Sequence, residues 1–119
     1  MEKQFVTYKL SLKLKELGFK EECFKVYDTL GYLQNVGTMV EMGLPYILAP
    51  LWQQAFDWFF KELNYFSEIF MEDDGSFGFL ISSKVLQGRL DQPIIRNFMS
   101  TKEAREACLT KLIEICEKN

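Results

Sequence analysis

The chain contains no histidine. That absence removes Ser-His-Asp and Cys-His nucleophile systems, imidazole metal ligands and the commonest general base together. Proline is scarce, at three residues, and so is cysteine, at three: Cys23, Cys108 and Cys116. An odd number of thiols with no close spacing argues against a disulfide framework. On one helix Cys108 and Cys116 would stand about 12 Å apart, from a rise of ~1.5 Å per residue, too far to bridge. Free structural thiols in a reducing cytoplasm are therefore expected. No apolar run approaches bilayer length: the longest nearly uncharged stretch, Gly43 to Trp52, is about half of what a spanning helix needs. The start, Met1 to Phe5, lacks the apolar region of an export signal, so neither export nor membrane insertion is expected. Glycine-rich nucleotide loops, paired CxxC motifs and carboxylates at metal-ligand spacing within a helix are missing too. On these grounds no catalytic, cofactor-binding or metal-binding residue is assigned, and the chain is expected not to be an enzyme.

What the chain does have is aromatic side chains. Eleven Phe, five Tyr and two Trp make up 15% of its 119 residues, within 48% hydrophobic and 26% charged residues. That length and balance predict one globular domain, residues 1–119, with one large core and some rings left at the surface. The net charge of −3 gives no long-range attraction to nucleic acid. Lysines gather early, at Lys9, Lys13, Lys15, Lys20 and Lys25, but Glu16, Glu21 and Glu22 interrupt them, which reads as a solvated helix face.

Local patterns predict the elements. Thr7 can cap a helix over 8–17 whose Leu10, Leu14 and Leu17 share a face, with Gly18-Phe19 as a left-handed stop clasping Leu14. Cys23 to Tyr27 and Tyr32 to Gln34 read as a hairpin joined by Asp28-Thr29-Leu30-Gly31. Residues 35–48, with Gly37, Gly43 and Pro45, read as a loop holding a short strand. Pro50 suits the first turn of a helix over Leu51 to Leu63. Tyr65 to Glu72 and Phe77 to Val85 read as a second hairpin, turned by Asp73-Asp74-Gly75-Ser76. That turn lacks the ligand ladder of a calcium loop. Residues 87–99 read as a connection, with Arg89 and Arg96 as solvated loop charges. Ser100 and Glu103 form a capping box for a last helix whose Ala104, Cys108, Leu112 and Ile115 share a face. The predicted fold is α+β: a small antiparallel sheet of three to five strands, with two to three helices mainly on one face.

The second helix holds the one group that invites a functional reading. Trp52, Phe56, Trp58, Phe59 and Phe60 spread an apolar arc over about 200° of it at 100° per residue, more than one packing face requires. If part of this arc is open to solvent, it is an interaction surface for a protein partner or a second copy of the chain. A non-enzymatic, self-associating interaction module is accordingly the favoured function. A carrier of an apolar small ligand, held between helix and sheet, is one alternative, and an enzyme built on Asp, Glu, Cys or Tyr alone is the other. Cys23 is read as structural, because Glu21 and Glu22 raise a neighbouring thiol's pKa, away from reactivity.

Three segments carry a resemblance. Leu17-Gly18-Phe19 with Cys23-Phe24, the run from Ala49 to Phe59 (APLWQQAFDWF), and Glu103 to Leu109 with Leu112-Ile113-Glu114 resemble short proteins encoded by gut bacteria and their phages or mobile elements. They cover about a quarter of the chain, and the middle block is the specific one. That group has no assigned function, so the resemblance implies no activity. The segment from Gln87 to Met99 departs from its pattern.

Overall fold

The structure is a computed structural model that describes residues 4–83 and 94–118. Four helices and six strands are found among these residues, an α+β protein as the patterns predict. The strands form two antiparallel sheets of three strands each, ordered β2-β1-β3 and β4-β5-β6. The chain divides correspondingly into two compact units, Met1–Ala55 and Phe56–Asn119. The expected end of the second hairpin at Val85, most of the 87–99 connection and Arg89 lie outside the described residues.

In the N-terminal unit, helix α1 spans Tyr8–Glu16, and Thr7 Oγ1 accepts from the Leu10 N–H at 3.4 Å. Its end is the predicted one: Gly18 takes φ 104° while the Phe19 N–H reaches the Leu14 carbonyl at 3.0 Å. A side chain bearing a Cβ disfavours that φ, so glycine is what lets the chain turn here. Phe19 and Leu14 are both buried. Strands β1 (Lys25–Tyr27) and β2 (Leu33–Asn35) form the predicted hairpin. The Asp28 carboxylate holds its turn by accepting from the Leu30 and Tyr32 N–H groups at 2.9 and 3.0 Å, and from Gln34 Nε2 at 3.0 Å. Strand β3 (Ile47–Ala49) pairs with the other edge of β1. By register Tyr27, Leu33 and Ile47 share one face, where Phe5, Ala49 and Tyr8 gather with them into a core cluster.

The stretch 35–48 is not the loop expected. Val36–Glu41 forms a short helix, α2, with Met39 as its buried residue. Gly43, read from sequence as a breaker, is instead the helix stop. It has φ 65°, and the Leu44 N–H returns to the Met39 carbonyl at 3.1 Å.

Helix α3, Trp52–Leu63, begins one residue later than predicted and ends at Asn64, which takes the left-handed φ of 64° usually left to glycine. In the C-terminal unit, β4 (Tyr65–Met71) and β5 (Phe77–Ser83) pair over seven residues, from Tyr65↔Ser83 to Met71↔Phe77. Their turn is closed by Asp74, whose carboxylate accepts from both the N–H and the hydroxyl of Ser76, at 2.9 and 2.6 Å. That carboxylate is occupied in shaping a turn, as the sequence reading has it.

A third strand, β6 (Ile95–Phe98), occupies part of the expected connection. Its register runs Phe77↔Phe98 and Phe79↔Ile95, so three steps on β6 oppose two on β5. Asn97 at φ 74° absorbs the extra residue as a bulge. Arg96, expected as a loop charge, therefore lies on a strand, where it pairs with Glu72 and sits 5.9 Å from the Phe70 ring centre. Helix α4 (Thr101–Glu117) packs on this sheet, burying Ala104, Cys108, Leu109, Leu112 and Ile113. The predicted pair caps it, but not as a strict box: the Glu103 N–H donates to Ser100 Oγ at 3.2 Å, while the Glu103 carboxylate accepts one residue earlier, from the Met99 N–H at 2.9 Å.

Candidate functional site

The five aromatic residues read from sequence as a surface on α3 are unequally exposed. Trp52, Trp58 and Phe59 are buried, Phe56 is half-buried, and Phe60 alone is exposed, at 44%. The wide apolar arc is used for burial, with Trp58 and Phe59 meeting edge to face at 5.1 Å between ring centres. Phe60 turns instead to Phe66 of β4, an equally exposed ring 6.2 Å away.

Exposed apolar side chains are concentrated in the N-terminal unit. Phe24 and Leu30 are more than three-quarters exposed, and Tyr32, Val40 and Met42 more than half. Period-two reading of 23–27 could have pointed to Phe24, since its neighbours in alternation cannot all face inward.

The same unit contains a pocket of about 700 Å³. Its walls come from three places. Helix α1 supplies Ser11 and Lys15, one turn apart; the segment Gly18 to Cys23 supplies its whole length; α2 and the β3 region supply Val36, Tyr46 and Leu48. Along the middle segment exposure alternates: Phe19 is buried, Glu21 and Cys23 are half-buried, and Lys20 and Glu22 are exposed. Phe19, Glu21 and Cys23 therefore form its sheltered side, and Lys20 and Glu22 its wet side.

Gln54, at the start of α3, fixes this wall. Its Nε2 donates to the Glu22 carbonyl at 2.7 Å, while its Oε1 accepts from Cys23 Sγ at 3.8 Å. The Cys23 thiol is pushed up to about 11, first by burial and then by the Glu21 charge, with the Gln54 hydrogen bond opposing. At neutral pH it is a protonated thiol and not a nucleophile. Burial raises Cys108 to about 12 and Cys116 in the same direction, and all three thiols are free. In the C-terminal unit a more open groove runs between β6 and α4, lined by Phe79, Phe98 and Met99 and rimmed by Glu103, Glu106 and Glu114.

Among the described residues no group of three or more Cys, Asp and Glu side chains is placed to hold a metal ion, and no helix is long and apolar enough to cross a membrane. No family model, curated protein or solved structure matches the chain. The arrangement thus defines an α+β protein with a ligand-sized pocket in its N-terminal unit. That pocket was beyond sequence reading, because its walls are three separate segments that only packing brings together.

Proposed function

We propose that this chain is a non-enzymatic binding module that takes up a small molecule with an apolar body in the pocket beside α1. The observation that carries this reading is the pocket's form: about 700 Å³, within the usual range for small-molecule sites, with Phe19, Val36, Tyr46 and Leu48 as apolar lining among a few polar groups. Protonated thiols, with no histidine anywhere in the sequence, support uptake over chemistry. Free thiols also fit a cytoplasmic location, and an acidic chain gives no reason to invoke nucleic acid. The likeness to short gut-bacterial and phage proteins adds no activity to the proposal.

The test is titration of the full chain with 2-phenylethanol, followed by amide NMR. Shifts confined to Ser11, Phe19, Cys23, Val36 and Leu48, and lost in Leu48→Trp, are the expected result. Shifts scattered over both units, or none at millimolar concentration, would sink the reading.

A protein partner or self-association is the second reading, and the exposure of Phe24, Leu30, Tyr32, Val40 and Met42 favours it. The interaction module expected from α3 then works through this unit instead. A sedimentation coefficient that rises with concentration and returns to the monomer value in Phe24→Ser is its signature.

A further inference from the structure

The groove between β6 and α4 in the C-terminal unit owes its depth to two short side chains. Ala107 and Thr110 stand in the middle of the α4 stripe that lines it, and a longer residue at either place would fill it. The sheet side is apolar: Phe79 is buried, Ile95 and Phe98 are half-buried, and the Phe79 and Phe98 rings stack at 5.8 Å between centres. About 660 Å³ of space lies between the two sides.

The helix side is charged. Three glutamates, Glu103, Glu106 and Glu114, face one lysine, Lys111, a formal charge of −2. Glu103 engages one oxygen with the Met99 N–H, but Glu106 and Glu114 make no ion pair among the described residues, with Lys111 or any other cation. No basic residue stands in the last turn of α4, where the carbonyl end of the helix adds negative potential beside Glu114. An apolar slot with an uncompensated acidic rim is complementary to an apolar side chain flanked by cations.

The spacing of the rim sets the form of such a segment. Strand β6 is the edge of its sheet, but it is four residues long and bulged at Asn97, which blunts it against an added strand. What enters the groove therefore does so by its side chains. Glu106 and Glu114 are about 12 Å apart along the helix axis. An extended chain covers about 13 Å in four residues, and its alternate side chains face the same way.

We infer that this groove docks an extended segment of a partner protein, with Lys or Arg at two positions four residues apart and an apolar residue midway. The cations reach Glu106 and Glu114, and the apolar side chain enters between them over Ala107 and Thr110. This site lies in the other unit from the pocket beside α1 and does not depend on it.

Three capped pentapeptides test the docking: Lys-Ser-Phe-Ser-Lys, Gln-Ser-Phe-Ser-Gln and Glu-Ser-Phe-Ser-Glu, each titrated into the full chain and followed by the amide shifts of Ile95, Phe98, Ala107 and Thr110. The lysine peptide is expected to bind about tenfold tighter than the glutamine peptide at low salt, from two exposed ion pairs, and to lose most of that margin at about 0.5 M NaCl. The glutamate peptide should bind weakest. Joint Glu106→Gln and Glu114→Gln should abolish the lysine preference and leave the glutamine peptide's affinity unchanged, whereas Glu117→Gln, outside the groove, should preserve it. Ala107→Trp, which fills the slot, should weaken all three. Equal binding of the lysine and glutamine peptides, tightest binding of the glutamate peptide, shifts centred elsewhere, or no shift at millimolar concentration would each overturn the inference while leaving the pocket reading untouched. Should a variant not fold, the ranking of the three peptides on the wild-type chain and its salt dependence decide alone.

Discussion

The carbonyl of Val6 sets up a measurable non-additivity in the N-terminal unit. Val6 is fully buried, and its carbonyl accepts two side-chain hydrogen bonds, one from the Tyr27 hydroxyl at 2.6 Å and one from the Ser11 hydroxyl at 3.4 Å. Tyr27→Phe removes the short bond but leaves the ring in place, edge to face with Tyr8 at 5.5 Å. The carbonyl keeps Ser11, so the cost should be about 1 kcal/mol, that of an ordinary intramolecular hydrogen bond. Ser11→Ala removes the longer bond and should cost about 0.5 kcal/mol. The double variant is different in kind, because a buried carbonyl is then left with neither donor and bears a desolvation penalty of about 1–3 kcal/mol. The pair should therefore be destabilised by about 1 kcal/mol more than the sum of the single changes. Urea unfolding followed by tryptophan emission measures this as a shift in midpoint at unchanged slope. Additivity within about 0.3 kcal/mol would refute the shared-acceptor account, and so would a Ser11→Ala cost as large as that of Tyr27→Phe.

Other consequences are open to equally direct measurement. A Cβ on Gly78 would stand 2.7 Å from the Ile95 carbonyl and 2.9 Å from the Phe70 ring, so Gly78→Ala must push β6 off β5. A loss of about 2 kcal/mol in thermal or urea unfolding is expected, whereas Gly37→Ala, which meets nothing within 4 Å in α2, should gain up to about 1 kcal/mol. Cys23, raised from 9.0 to about 11, should react with iodoacetamide at neutral pH about a hundredfold more slowly than an unperturbed thiol, and faster in Glu21→Gln; peptide mass mapping over time reads both. The Asp28 carboxyl is held below its usual range, chiefly by the Tyr32 N–H and then by Gln34. Since the folded state then binds this proton less readily than the unfolded one, the turn's contribution is complete above the ordinary aspartate value of about 3.9 and is lost as pH falls through the lower folded value. The Leu30 and Tyr32 amide shifts should follow that midpoint; a midpoint at or above the ordinary value would contradict the hydrogen bonding.

Elements announced by their own residues were legible. The end of α1 is carried by Gly18 and Phe19, the first turn by Asp28 and Gly31, and the start of α4 by Ser100 and Glu103; in each case the partners are at most six residues apart. Elements held by distant contacts were not. Helix α2 has a glycine at its second position and one buried side chain, Met39, so nothing in its own sequence outweighs the breaker signals around it. Strand β6 hides its alternation behind a left-handed Asn97, which puts Ile95 and Phe98 three positions apart and gives a spacing that reads as neither strand nor loop. Gly43 shows a subtler failure, since a glycine marks the end of a helix as readily as its absence, and only the preceding residues' packing decides.

The α3 aromatics and the pocket are opposite cases with one physical origin. An apolar arc says how much surface a helix must hide, but not what covers it; the rings of Trp52, Trp58 and Phe59 proved to be covered, so their abundance measured core and not contact surface. A pocket is the reverse case, a place where covering fails, and no single segment records it. What sequence does record is the chemistry that will line such a gap once it exists. The Glu21 share of the rise in the Cys23 pKa was readable from its place beside the thiol, whereas burial, the larger cause, was not. If Glu21→Gln leaves the alkylation rate of Cys23 unchanged, that carboxylate does not act on the thiol, and burial alone holds it protonated.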